Sequence, residues 1–213
     1  MTIEDIVKQR EIAEILHFTT NRGLLGVLHS GFLKSKLRLQ ADQQLEFIFS
    51  ANAPFRKDLD WLDYINLSIS RINSRFFDIS KNRWHRDRDI WWCVLAFDPI
   101  ILSHKGVYFT TTNNMYTDVR RTEGGEGLEA MFADTIVQWP SSSVSRDPKA
   151  PPAYPTCMQA EVLYPGELST RFLRKVYVAS GEDSDEVYGQ FAALGHDQVT
   201  IVVSPDVFRL NLR

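Results

Sequence analysis

Cysteine is scarce: the 213 residues include only Cys93 and Cys157, each inside an apolar, strand-like stretch. That excludes a disulfide framework and a thiolate zinc site, and fits buried thiols of a reducing compartment. The histidines, His17, His29, His85, His104 and His196, form no i, i+4 pair, so a metal site has no support. Walker, GxGxxG and GxSxG motifs are all missing. The glycine-rich "EGGEGLEA" lacks the lysine and hydroxyl of a phosphate cradle, and its acids would repel phosphate, so it reads as a flexible turn. No apolar run reaches the length of a membrane span, and "MTIEDIVKQREIAEI" is too charged for a signal peptide. A cytoplasmic protein is expected. The net charge of -3 gives no global attraction for a polyanion, so any nucleic-acid surface must be local.

What is present is an ordinary globular composition, 44% hydrophobic and 24% charged. Thr2 to Ile15 places Ile3, Ile6, Val7, Ile12 and Ile15 on a helical stripe with Thr2 as cap. A short strand "ILHFTT" follows, then a helix over "NRGLLGVLHS" ended by Gly31. Further strands are expected at "LEFIFSA", "WLDYINLSISRI", "DIWWCVLAFDP", "GVYFTTTNNMY", "FLRKVYVA" and "QVTIVVSPDVF", with a helix from "GEDSDEVYGQ". "GLEAMFADTI" offers a helical turn or two, and "QWPSSSVSRDPKAPPAYP" reads as a long surface loop. Strands and helices do not alternate regularly, which disfavours a doubly wound parallel sheet. One α+β domain over 1–213 is the expectation.

Between Arg71 and Arg88, basic residues including Arg71 and Arg75 alternate with Phe76, Phe77 and Trp84. The mixture suits a groove that tracks phosphates and stacks bases, or a solvated turn between strands. Tyr108 and Tyr116 flank a polar string and could sandwich a planar ring, or the string could be an Asn- and Thr-rich turn. "PTCMQAEVLYPG", Pro155 to Gly166, reads as a strand with Gln159 and Glu161 on one face. There Glu161 could be a solvated edge residue, a general acid, a metal ligand or a carboxylate aimed at a developing cation.

Taken in order, "LHFTTNRGLLGVLHSGFL", "GVYFTTTNNMY" and "MQAEVLYPGELS" resemble the ADP-ribosyltransferase fold, whose implied architecture is two packed, mostly antiparallel sheets with flanking helices around an NAD cleft. The His-x-Thr at His17 and Thr19, the strand ending in Arg71, and the Gln-Ala-Glu at Gln159 to Glu161 are most similar to the DarT family, over about Ile15 to Val178. The approach to the arginine is "YINLSISR" where the family's is rich in Phe and Pro, which suggests a divergent subgroup.

The resemblance implies a toxin that transfers ADP-ribose from NAD to a base of single-stranded DNA, with a role in phage defence and a DarG-like macrodomain antitoxin as partner. It implies Glu161 and Arg71 as catalytic residues, His17, Thr19, Arg71, Tyr108 and Tyr116 as NAD contacts, and Gln159, Arg75, Trp139 and Tyr154 as acceptor contacts. Arg71 would grip the pyrophosphate or activate the base. The segment Thr117 to Cys157 would recognise the acceptor.

Chemistry agrees with this placement. Cleaving nicotinamide from ribose passes through an oxocarbenium-like state, which a fixed carboxylate stabilises. Alternate strand residues lie roughly 6 to 7 Å apart on one face, so Gln159 could touch the acceptor while Glu161 holds the ribose. RNA or protein acceptors, or a non-catalytic nucleic-acid-binding module, are the competing expectations.

Overall fold

Thr2 starts the first helix, α1 (Ile3–Gln9), through a capping box: its Oγ1 accepts from the Asp5 N–H at 3.1 Å, and Asp5 Oδ2 accepts from the Thr2 N–H at 3.0 Å. The helix is shorter than its apolar pattern predicts. Glu11 takes a left-handed φ of 56°, and beyond it Ile12 and Ile15 are buried outside the helix, Ile15 opening strand β1 (Ile15–Thr20). Thr20 ends that strand and caps α2 (Asn21–Ser30), accepting from the Gly23 N–H at 3.1 Å. Gly31, at φ 73°, closes α2 as expected.

The computed structural model describes residues 1–41, 58–84, 89–197 and 199–209. The strand expected at 45–51 and the basic residues at 85–88 lie outside them. The chain continues through β2 (Phe32–Lys34), α3 (Lys36–Ala41), β3 (Tyr64–Ile69), α4 (Ser74–Ile79), β4 (Trp92–Phe97), β5 (Tyr108–Thr110) and β6 (Arg121–Glu123). It then forms α5 (Gly124–Ala130), β7 (Thr135–Trp139), β8 (Ser142–Ser145), β9 (Glu161–Pro165), β10 (Glu167–Ser169), β11 (Leu173–Val178), α6 (Gly181–Leu194) and β12 (Thr200–Val203).

Among the described residues, eight strands form one sheet in the order β12-β11-β4-β1-β3-β9-β5-β6. Only β11 and β12 run parallel, so the α+β, mostly antiparallel expectation holds. The sheet has two halves. β4 pairs with β1 along its whole length, but β1 meets β3 only at Ile15↔Ile69 and Leu16↔Ser68. Past Leu16 the two strands are no longer paired, and a cleft lies at that split.

β4 is buried on both faces. Cys93, Leu95 and Phe97 pack into the larger core with Leu24, Leu67 and Val176, while Trp92, Val94 and Ala96 join Leu16, Ile72 and Phe77 in a second cluster. A strand covered on both sides fixes β1 beside it, and therefore one wall of the cleft.

Three readings are corrected. The glycine-rich segment is not a flexible turn but the start of α5, because its glycines permit close approach: a Cβ on Gly127 would sit 2.1 Å from the Thr122 carbonyl oxygen. The long loop is largely structured: β7 and β8 pair as a hairpin, and Arg146 braces the proline-rich part by donating to the carbonyls of Tyr154 (2.8 Å), Pro152 (3.3 Å) and Pro151 (3.4 Å). Finally, β9 begins at Glu161, not before it. Its pairings with β3 and β5 start at Val162 and Glu161, and Gln159 lies in the preceding turn, where the Ala160 N–H bonds the Cys157 carbonyl at 3.0 Å.

Candidate active site

The register of β9 and β5 puts Glu161 opposite Thr110 at the end of their ladder, one residue before the pairing with β3 begins at Val162. Its carboxylate is not a solvated edge group. Oε1 accepts from Asn66 Nδ2 at 3.0 Å, and Oε2 accepts from the Asn114 backbone N–H at 2.8 Å. The Glu161 N–H is taken by Thr110 Oγ1 at 3.0 Å. Donors on both oxygens favour the ionised carboxylate.

His17 stands on the other lip of the split. Its Nδ1 lies 3.0 Å from the Asn66 carbonyl. A carbonyl only accepts, so Nδ1 carries the proton and, in the neutral ring, Nε2 is left as an acceptor. Loss of solvent around the ring lowers its pKa below the ordinary value, opposed by the bond to Asn66, which favours the charged form. Asn66 thus bridges the two groups: its backbone oxygen holds His17 and its carboxamide holds Glu161. The Asn66 Oδ1 is buried and has no hydrogen-bond partner, a costly arrangement beside a cleft.

Around these residues is a cleft of about 200 Å³ lined by His17, Thr19, Tyr64, Asn66, Asn114 and Glu161, with Phe18, Phe76 and Trp92 among its apolar walls. Thr19 alternates with His17 on β1 and reaches the same cleft; its side chain rests on Gly23, where a Cβ would fall 2.0 Å from Thr19 Oγ1. Only glycine fits under that threonine.

The remaining expected residues form two further groups. Tyr108 is edge-on to Trp61 (5.2 Å between centroids) and Tyr64 (6.0 Å). Its hydroxyl, hydrogen-bonded to Glu123, has a raised pKa. Tyr108 therefore backs Tyr64, the ring that lines the cleft. Tyr116 packs edge-on against Trp139 at 5.3 Å and donates to Gln159 Oε1 at 3.2 Å, and Gln138 Nε2 donates to the same oxygen at 3.1 Å. The expected Tyr108–Tyr116 sandwich is replaced by these separate partners, because Tyr108 is fixed within the β5 ladder and Tyr116 lies beyond the following turn.

Arg71 does not end a strand. β3 stops at Ile69, and Ser70 adopts φ 57°, a strained conformation for a residue with a Cβ. That turn aims Arg71 at the segment before β9: its guanidinium lies 4.8 Å over the Tyr154 ring and donates to the Pro155 carbonyl at 3.1 Å. Burial lowers its pKa, with the positive Arg146 adding to the effect, and its Nε is buried without a partner. Arg75 is exposed on α4, whereas Phe76 lines the cleft and Phe77 is buried in the core, so these rings are not a surface platform for bases.

Sequence reasoning missed Asn66, Asn114, Gln138 and Arg121. None belongs to a spacing motif: Asn66 and Arg121 matter through pairing across the large sheet, Asn114 and Gln138 through contacts made by a turn and by the β7–β8 hairpin. The Asn-rich string around Asn114 is the one local signal, and its residue composition alone does not point to the backbone N–H that Glu161 uses.

A family model described as "ssDNA thymidine ADP-ribosyltransferase, DarT" matches residues 16–209. No curated protein matches the sequence. Among solved structures, the chain is similar to Thermosipho africanus DarTG in complex with ADP-ribose, at 13% identity and TM-score 0.62, covering 94% of this chain and 52% of that one. It therefore spans about half the length of the DarTG chain. It is also similar to Thermus sp. 2.9 DarT in complex with NAD+, at 15% identity and TM-score 0.62, covering 93% and 98% of the two chains. The same Thermus protein in complex with ADP-ribosylated ssDNA gives 13% identity, TM-score 0.61, and coverage of 93% and 97%. At these identities the structural likeness establishes the fold.

Proposed function

The chain belongs to the DarT family, the ssDNA thymidine ADP-ribosyltransferases that use NAD+, and we propose that its cleft cleaves NAD+ and transfers ADP-ribose to thymidine in single-stranded DNA. The observation that carries this reading is Glu161, a carboxylate held by two donors at the wall of a cleft that also presents His17. In the reaction the bond between ribose and nicotinamide breaks, a bond from the same ribose carbon to the base forms, and the base gives up a proton. Nicotinamide leaves neutral.

Glu161 would stabilise the positive charge developing on the ribose and accept from a ribose hydroxyl. His17, its Nδ1–H committed to Asn66, offers Nε2 to a second hydroxyl, with Thr19 beside it on the same face of β1. Arg71 is fastened to Tyr154 and Pro155 and is not among the residues lining the cleft, which favours activation of the acceptor over a grip on the pyrophosphate. The unpaired Nε supplies a donor, and the buried guanidinium sets a fixed positive charge where the acceptor base loses its proton. Gln159, Tyr116, Trp139 and Tyr154, with Arg75 outside them, would make the acceptor surface. Trp139, 39% exposed, offers a face for stacking a base.

In the cell we propose one domain acting in the cytoplasm as the toxin of a toxin–antitoxin pair, in phage defence, restrained by a DarG-like macrodomain partner. No helix among the described residues is long and apolar enough to cross a membrane. The activity is tested by supplying NAD+ labelled in its adenosine half together with single-stranded DNA, RNA and protein pools. Label on single-stranded DNA is expected; label confined to protein or RNA overturns the acceptor assignment.

A further inference from the structure

One of the two donors on Glu161 is a backbone N–H, that of Asn114, and a main-chain donor is only as fixed as the turn that carries it. Asn114 is 2% exposed and tied at three other points. Its Nδ2 donates to Asp58 Oδ2 at 2.9 Å. Its Oδ1 accepts from Arg121 Nε at 2.6 Å, and its carbonyl accepts from Arg121 Nη2 at 2.5 Å.

Arg121 opens β6 opposite Thr110, and Thr110 is opposite Glu161 on its other side, so the three residues form one row across β6, β5 and β9. The guanidinium also lies 5.6 Å over the Trp61 ring, yet Arg121 is not among the residues that line the cleft. A rigid fork of donors spent on one turn residue fixes that residue's orientation as a single point charge could not.

We propose that Arg121 is a positioning residue for the reaction, acting through Asn114 to hold the Glu161 carboxylate in its productive orientation. The inference rests on Glu161 facing the ribose, as argued above. Loosening the grip displaces one donor on Glu161 while leaving the His17, Thr19 and Asn66 side of the cleft in place. The loss therefore falls on the chemical step and not on substrate binding, because small misplacement of a catalytic group costs rate steeply.

The test is steady-state nicotinamide release from NAD+, with single-stranded DNA present, for wild type, Arg121→Gln, Arg121→Lys, Asn114→Ala and Asp58→Ala. Expected are a kcat about 10- to 100-fold lower in R121Q with KM for NAD+ within about twofold, partial recovery in R121K, which keeps one donor, and a kcat loss in N114A comparable to that in R121Q. Should R121Q fail to fold, N114A read against Asp58→Ala decides: both lose the bond between Asn114 and Asp58, and only N114A loses the carboxamide oxygen that Arg121 grips. Unchanged kcat in both variants, or losses that fall on KM instead, overturn the proposal. A wild-type protein that releases no nicotinamide overturns the functional reading itself, so the two failures are distinguishable.

Discussion

Asn66 holds both sides of the cleft at once: its carbonyl lies 3.0 Å from His17 Nδ1 and its Nδ2 lies 3.0 Å from Glu161 Oε1. The first bond uses the backbone, which any residue supplies, and the second uses the side chain. Asn66→Ala therefore separates them. It should lower kcat about tenfold, the scale of one hydrogen bond to a charged group, while the His17 contact survives. Kinetics with NAD+ titrated against fixed DNA checks this; an unchanged kcat contradicts it.

Glu161→Gln keeps the shape of the side chain and removes its charge. If the carboxylate stabilises developing positive charge, nicotinamide release should fall about 10²- to 10³-fold, as for loss of one electrostatic stabiliser. Thermal melting should stay close to wild type, because the change is isosteric. Near-normal turnover would remove Glu161 from the chemistry.

His17 predicts a dependence of stability on pH. Its folded pKa lies below the ordinary 6.5 because the ring is desolvated. Below about 6.5 the unfolded chain therefore binds more protons than the folded one. The contribution of this histidine is complete above that value and is lost as pH falls from it toward the folded pKa. Melting temperature should drop on acidification more steeply in wild type than in His17→Asn, whose amide replaces the Nδ1–H without titrating. Parallel melting curves for the two proteins would contradict this.

Much of this site is legible in the sequence, for a physical reason. His17, Thr19 and Glu161 come from short motifs in strands whose local patterns are clear, and the structure brings all three to one cleft. What holds them is not local. Asn66 is opposite Leu163 and Arg121 opposite Thr110, and no spacing along the chain records such long-range register. Gln159 was misplaced in a strand because alternation continues into the turn, while the ladder that defines β9 begins only where β5 offers Thr110 to Glu161. The helical turn expected at "GLEAMFADTI" begins earlier, at Gly124, because glycine weighs against a helix by propensity whereas here close contact with Thr122 requires it.

Arg71 and Trp139 are the two residues proposed above to act on the DNA acceptor. Arg71→Lys loses the guanidinium contact on Tyr154 and the fork of donors, so transfer to DNA should fall roughly 10²-fold, the scale of one lost electrostatic stabiliser. Hydrolysis of NAD+ without DNA should be largely spared. Equal loss of both would return Arg71 to the pyrophosphate.

Trp139→Ala should weaken single-stranded DNA binding by roughly 1–3 kcal/mol, the range for one base–aromatic stack. The KM for NAD+ should not move. Fluorescence anisotropy with a short thymidine-containing oligonucleotide measures it, and unchanged affinity removes Trp139 from the acceptor surface.

The central claim is tested most directly by digesting single-stranded DNA to nucleosides after reaction with NAD+ and weighing the products. An ADP-ribose adduct on thymidine, present with wild type and lost with Glu161→Gln, is the expected result. NAD+ consumed with no adduct on any DNA nucleoside, or an adduct formed equally by the Glu161 variant, would contradict the account.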